Sequence, residues 1–502
     1  MDRKIPSTMV SQHPDHSCRP FWHTEEFIST QQESLECFLS YSELGVSEYK
    51  WDWEGKLVDE AVLDRLYGEH YNFFRKRQLG RDIFLTFRLP NPKVETEFRL
   101  GRAFMGIISA AGLAKQLGLH SPPLFEVILP MTENSTEMIE IHEAYTEVAS
   151  LKHHLLETEN GLKHIEVIPL FEQVEKIISS DRILEKYVSL HKKKFGFNPS
   201  YIRPYMARSD PALNSGLVPT VLAIKVALSR YKKFEQRFQL PLYPIIGTGS
   251  LVFRGGLTPD RVDDFLNEYQ GVKTALLQSA FRYDYEKNIV KKAIKKLDKN
   301  LPILKARDVD SSNEEKIKSV IELFEKEYKK SVEKLAPLIN EVAQFLPKRR
   351  ERVLHVGLFG YARGVGAVKL PRAISFTGAL YSIGIPPEII GTGRGLKKVF
   401  QAGSIDVVKK FYLNLRNDLI KTGVYVNKEN IKKLSHTNTF AKEILEDIVY
   451  IEKYMGIELG PNSYEHRLYK GYTKTILNKI KGKRDNLQKV INQAAVIRRS
   501  LG

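Results

Sequence analysis

Two carboxylates stand directly behind apolar runs that read as buried strands: Glu172, closing Glu166-Val167-Ile168-Pro169-Leu170-Phe171-Glu172, and Asp210, within Arg208-Ser209-Asp210-Pro211-Ala212. A pair of hard oxygen donors on one face, with room left for water and substrate, is what Mg²⁺ or Mn²⁺ needs. The competing reading is a salt bridge from one of them to an arginine such as Arg208. Arg88, Arg254, Arg363 and Arg372 lie in apolar or glycine-rich settings, such as Phe253-Arg254-Gly255-Gly256 and Pro371-Arg372-Ala373. Arginine is costly there unless paired, and its planar fork fits phosphate or carboxylate with two hydrogen bonds. The four together point to a polyanionic substrate; each alone is equally consistent with pairing to a buried Asp or Glu. His13, in Ser11-Gln12-His13-Pro14-Asp15, is one of 13 histidines and has no distinguishing chemistry by itself.

Other chemistry is excluded by what the chain lacks. There is no HExxH, GxSxG, GxxxxGK[ST], or GxGxxG followed by an acidic residue. Gly391-Thr392-Gly393-Arg394-Gly395 has no Lys-Ser/Thr partner and reads as a turn before it reads as a phosphate cradle. Cys18 and Cys37 are too few for a disulfide framework and lack zinc spacing, which fits a reducing compartment.

The elements that must position these residues follow a coarse rhythm from about residue 80, in which a short β-rich run ends in Pro, Gly or a polar cluster and a helix-length segment follows. Candidate strands are 83–89, 125–129, 165–170, 201–207, 243–246 and 353–359. Their near-continuous apolar composition suits strands covered on both faces, and a spacing of roughly forty residues leaves room for a crossover helix. The expected fold is α/β, a TIM-like β/α barrel elaborated with many additional helices. Its core is expected at about 80–400, with a helical insertion at about 257–349, a helical C-terminal part at about 427–502, and one domain over 1–502. Polar residues directly after the runs, including Arg88, Glu172, Asp210 and Arg363, would form the barrel mouth. In the insertion, Ile317, Ile321, Phe324 and Tyr328 form one apolar stripe. Ser312 and Glu315 read as its capping box and Pro337 as its end or kink.

The net charge of +17 suits nucleic acid, anionic lipid or an anionic substrate. The lysines around 192–194, 287–299 and 479–484 alternate with apolar residues as solvated helix faces do, and no nucleic-acid signature accompanies them. The longest mostly apolar run, 103–114, is short of the ~18 residues of a membrane span, and the beginning of the chain has no signal-peptide core. A cytoplasmic enzyme with no nucleic-acid or membrane partner is expected.

Several of these segments together resemble phosphoenolpyruvate carboxylases, in their short archaeal-type branch. Ser11-Gln12-His13-Pro14-Asp15 resembles the family's Thr-Ala-His-Pro-Thr motif, sharing His-Pro. Val167-Ile168-Pro169-Leu170-Phe171-Glu172 is similar to the strand carrying its first metal carboxylate, and the segment from Tyr205 to Gly216, with Ser209-Asp210, to its Gly-Tyr-Ser-Asp-Ser motif carrying the second. Arg254-Gly255-Gly256 resembles the end of its glycine-rich loop, and Pro371-Arg372-Ala373-Ile374 its Leu-Arg-Ala-Ile-Pro arginine; Arg88 and Arg363 are looser matches. The resemblance implies a helix-wrapped barrel, usually a homotetramer, that uses Mg²⁺, or Mn²⁺ in its place, to join phosphoenolpyruvate and bicarbonate. Oxaloacetate and phosphate leave by way of carboxyphosphate and the enolate of pyruvate. It gives Glu172 and Asp210 to the metal, His13 and Arg254 to catalysis, and Arg372, Arg88 and Arg363 to substrate. Two departures stand out: Thr248 replaces the first arginine of the family's glycine loop, and Arg498-Arg499-Ser500-Leu501-Gly502 replaces the long branch's inhibitor-binding Asn-Thr-Gly ending, so feedback inhibition there is not expected. The alternative is another metal-dependent barrel lyase acting on the C–C bond of a keto acid.

Overall fold

The computed structural model describes residues 3–502 apart from 96–97, 151–163, 352–363, 366–367, 437, 481 and 483. Eight short parallel strands follow in chain order: β1 (Thr8–Ser11), β2 (Glu48–Asp52), β3 (Phe84–Arg88), β4 (Glu126–Leu129), β5 (Glu166–Phe171), β6 (Tyr205–Met206), β7 (Ile245–Ile246) and β8 (Thr274–Leu277). Each pairs with the next, and β8 returns to β1 through Thr8↔Ala275 and Val10↔Leu277, so the sheet closes. The expected helix-wrapped α/β barrel is borne out.

Its position along the chain needs correction. The strands run between residues 8 and 277, not from about 80 to 400, and β8 lies inside the stretch expected to be a helical insertion. β2 escaped because Glu48, Lys50 and Asp52 alternate with Tyr49 and Trp51, placing three charges on one strand face. In a barrel that face points into the interior, so a search for apolar runs passes over it. β1 and β8 are only four residues each. The expected strands at 201–207 and 243–246 shrink to the two-residue β6 and β7, joined below by an Ile202↔Leu242 bridge. The expected strand 353–359 lies outside the described residues.

The barrel interior is layered. At the N-terminal end, Arg203 donates to Glu126 (2.6 Å) and Glu48 (2.6 Å), a fully buried triad with Thr86 and Thr274 completing it. Above it lie Met9, Ile128, Ile168 and Ile245, and then the charged mouth. Because the middle layer is apolar, the mouth is closed to water from below.

Outside the barrel, Ser311–Ala343 forms one helix of 33 residues whose stripe of Ile317, Ile321, Phe324 and Tyr328 is buried as expected. Its cap is Asp310, whose side chain accepts from the Asn313 amide at 2.8 Å, and not a Ser312/Glu315 box. Pro337 neither ends nor divides it. A proline inside a helix costs about 3 kcal/mol, and burial of Leu335, Ala336, Ile339 and Val342 around it offsets that. The stretch after 427 is helical as expected, in Lys428–Ser435, Thr439–Met455, Tyr464–Ile480 and Leu487–Arg498. The glycine run opens the helix Thr392–Gln401 with Gly391 at φ +72°. The carboxylate of Asp447 accepts there from the Gly391 and Arg394 amides and pairs with the Arg394 guanidinium at 2.8 Å, so the protein's own anion fills that helix end. Among the described residues no single helix is long and apolar enough to cross a membrane; one pair, Ala373–Ser382 with Pro387–Gln401, passes on length and composition but is bent by 93° and mostly buried.

Candidate active site

A cavity of about 830 Å³ opens at the C-terminal ends of the strands. His13, Arg88, Glu172, Asp210, Arg254 and Arg372 all line it, although they span positions 13 to 372. His13 follows β1 by two residues, Arg88 ends β3, Glu172 follows β5, and Asp210 lies in the helix Ser209–Ser215 after β6. Arg254 ends a short turn, Val252–Arg254, after β7, and Arg372 occupies the N-cap of the helix Ala373–Ser382. Arg363 lies outside the described residues.

The β2–β3 side of the mouth is a network of charge. Register puts Asp52 opposite Arg88, and the pair is bidentate, with Nη2 to Oδ2 at 2.7 Å and a shorter contact from Nε; Nη1 reaches Glu54. Lys50, fully buried, lies 3.7 Å from Asp52 and 3.4 Å from His13 Nε2. Lysine offers only donors, so Nε2 accepts, and His13 is left with its proton on Nδ1, within 3.2 Å of Ser11 Oγ. Burial, followed by repulsion from Lys50, holds the His13 imidazole well below its ordinary value, against the opposing pull of Asp52. At neutral pH it is an uncharged base. Burial also lowers Lys50 to about 8, with Arg88 adding to the effect.

Arg254 is held from four directions. Its Nη1 pairs with Asp15 Oδ2 at 3.1 Å and also reaches the Gly502 carbonyl; Nη2 donates to Gln278, and Nε to Ser209 Oγ at 3.2 Å. A guanidinium has five N–H groups, so among the described residues these four bonds leave one, on Nη2, for a ligand. Asp15 is itself fixed by the Ala280 amide at 2.8 Å, which ties the His13 segment to the turn after β8. The loop before Arg254 admits little but glycine: a Cβ on Gly249 would meet the Arg254 guanidinium at 2.9 Å, and Gly255 has φ +126°. The Thr248 hydroxyl is turned onto the Leu276 carbonyl at 2.5 Å.

Glu172 and Asp210 rise from adjacent strand ends into the same cavity. The Glu172 charge is felt by Lys50, Arg88 and Tyr205, and that of Asp210 by Tyr205 and Arg254, so both carboxylates lie at the centre of the polar cluster. They offer hard oxygen donors of the kind Mg²⁺ takes. Arg372 lines the cavity with Ala373, Ile374 and Ser375, so the positive end of a ten-residue helix and a guanidinium meet any anion there together.

Sequence reasoning missed Lys50, Asp52, Asp15 and Gln278. The signal for the first two was the alternation of charge with aromatic residues in β2. Nothing local marks the other two.

A closed parallel barrel whose strand ends gather acids, arginines and a neutral histidine into one cavity is the framework of a barrel enzyme. The family described as phosphoenolpyruvate carboxylase matches residues 5–502. A phosphoenolpyruvate carboxylase of Leuconostoc mesenteroides is 37% identical over 100% of this chain and 99% of its own length, and one of Metallosphaera sedula is 38% identical over 100% of both. One of Oenococcus oeni is 40% identical over 92% of both. The chain belongs to the phosphoenolpyruvate carboxylase family.

Proposed function

We propose that the chain carboxylates phosphoenolpyruvate with bicarbonate, releasing oxaloacetate and phosphate, at the cavity above the barrel. The observation that carries this reading is the convergence of His13, Glu172, Asp210, Arg254 and Arg372 on one cavity in a chain of that family. The donor set Glu172 and Asp210 fits a divalent ion, Mg²⁺ or Mn²⁺, which would supply Lewis-acid stabilisation of oxyanion charge developing on the substrate. Arg372 and its helix N-terminus take the phosphate. Arg254, fixed by Asp15 and Gln278, directs its remaining Nη2–H at bicarbonate and then at carboxyphosphate, a geometry set before substrate arrives. Arg88, already paired, contributes positive field more than a free fork.

Once the phosphoryl group has passed to bicarbonate, His13 Nε2 takes the carboxyl proton, the C–O bond to the phosphoryl group breaks to release phosphate and CO₂, and the enolate carbon attacks that CO₂ to form oxaloacetate. The apolar layer of Met9, Ile128, Ile168 and Ile245 keeps water from entering beneath the reacting groups and protonating the enolate. The family likeness also supports a cytoplasmic homotetramer. A coupled assay for oxaloacetate with phosphoenolpyruvate, bicarbonate and Mg²⁺ tests the reading: bicarbonate-dependent oxaloacetate is expected, and its absence in folded protein overturns it.

A further inference from the structure

We propose a second metal site, for a transition ion of the Zn²⁺ class, built by His142, His164 and His191 at the opposite end of the barrel from the catalytic cavity. His142 lies in the helix Ser135–Ala149, His191 in the helix Ser180–Phe195, and His164 two residues before β5. One ring nitrogen from each lies within 4.8 Å of the others. His142 Nδ1, His164 Nε2 and His191 Nε2 are buried atoms with no hydrogen-bond partner among the described residues. Both His142 and His191 are almost completely buried as whole residues. The ring centroids are 5.0 to 5.5 Å apart.

The other nitrogens of His142 and His191 are used, and in the way metal-ligating histidines use them. His191 Nδ1 lies 2.8 Å from the Phe197 carbonyl, an acceptor only, so it carries the proton and Nε2 presents its lone pair to the cluster. His142 Nε2 lies 2.8 Å from the Tyr187 hydroxyl, which can accept its proton and leave Nδ1 with the inward lone pair. Such outer partners fix the tautomer and raise ligand basicity. Glu166 Oε1 stands 3.6 Å from His164 Nε2 but is not one of the three mutually close donors, so the protein supplies three imidazoles and leaves a fourth position for water, a set that zinc takes. Burial, with repulsion from His164 and His191, holds His142 down to about 2, and burial also lowers His191. Neutral imidazoles are the ligand form.

A buried ring nitrogen without a partner costs free energy, and here three are gathered at one point. With the protons of His142 and His191 on their outer nitrogens, their inward nitrogens cannot donate to one another, and none of the three inward nitrogens has a hydrogen-bond partner among the described residues. An ion holding each nitrogen at about 2.0–2.1 Å draws them to roughly 3.3 Å of one another. His164, the most exposed of the three, has the freedom for that adjustment. The ion would join two barrel helices to the start of β5. Six residues of strand, roughly 20 Å at the usual rise, separate Glu166 from Glu172, so the role is to brace the barrel and not to take part in carboxylation.

The test uses the full chain without a histidine tag, stripped with a chelator and then dialysed against limiting Zn²⁺, or titrated with Co²⁺, in excess Mg²⁺ to cover the catalytic carboxylates. About one tightly held equivalent per chain is expected, with the intense visible bands of four-coordinate Co²⁺ and a raised melting temperature. His164→Ala should lose the bands and weaken binding by at least ~10-fold, while keeping Mg²⁺-dependent carboxylation; His191→Gln should also lose the bands. Retention of the bands and of the bound equivalent in folded His164→Ala overturns the proposal, as does wild-type protein that holds no equivalent. If His191→Gln fails to fold, His164→Ala decides alone.

Discussion

Asp52 and Arg88 stand opposite one another in the parallel register of β2 and β3 and close a two-pronged ion pair at the cavity's edge, with Nη2 to Oδ2 at 2.7 Å. Asp52 is also the counter-charge to Lys50, and Arg88 and Lys50 both hold its carboxyl well below the usual range despite burial. Replacement by Asn leaves two buried cations facing each other, with Glu54 and Glu172 as the remaining acids they feel. Breaking one side of a buried pair costs about 3–5 kcal/mol. Asp52→Asn should therefore lower the urea midpoint by a corresponding amount with little change in slope, whereas an unchanged midpoint would show that Glu54 and Glu172 suffice.

Asp210→Asn leaves a side chain of nearly the same shape but removes one of the two carboxylates proposed for the metal. The half-saturating Mg²⁺ concentration should rise by at least ~10-fold, while circular dichroism and melting stay near those of the parent. A folded variant with unchanged Mg²⁺ dependence would remove Asp210 from the site.

His13→Asn separates the two chemical steps. Phosphoryl transfer depends on the arginines and the carboxylate pair, whereas carboxylation also needs a base. The variant should still release phosphate in a bicarbonate-dependent way while the enolate is protonated to pyruvate, so the ratio of phosphate to oxaloacetate climbs well above one. A ratio near one would show that His13 is not the base; loss of phosphate release as well would place it earlier. Because burial and Lys50 depress the imidazole, the acidic limb of the wild-type rate profile due to His13 should fall below pH 6.5.

Glu388 is fully buried and accepts from the Phe253 amide at 2.8 Å and the Tyr381 hydroxyl at 2.7 Å, holding the turn that carries Arg254. Burial pushes its carboxyl from 4.5 up to about 7. Between those values the folded protein keeps a proton that the unfolded chain has lost, so this contribution to stability is present at acid pH and is lost as pH rises towards and through 7. The loss is on the order of 3 kcal/mol. Denaturation from pH 5 to 8 should show the parent losing stability relative to Glu388→Gln, which holds no charge at any of these values; parallel curves would mean that Glu388 is ionised throughout.

The carboxylates and arginines were legible because each breaks an apolar context. Glu172 and Asp210 follow strand-like runs, and Arg254 and Arg372 interrupt glycine and apolar stretches, so cost alone marks them. Lys50 and Asp52 were harder because a charged strand face looks like solvent exposure until the sheet closes around it. The same ambiguity hid β2 and shifted the expected start of the barrel.

By itself the sequence determined the residue types available for chemistry, the β/α rhythm and the resemblance to a family, since each rests on local composition or on motifs in order. Only the tertiary structure decided which residues meet. Asp15 lies 239 positions from the Arg254 it orients, and His142, His164 and His191 come from separate elements around β5. Barrel closure sets such distances, because a parallel strand's neighbour is fixed by hydrogen-bond register and crossover packing and not by proximity along the chain.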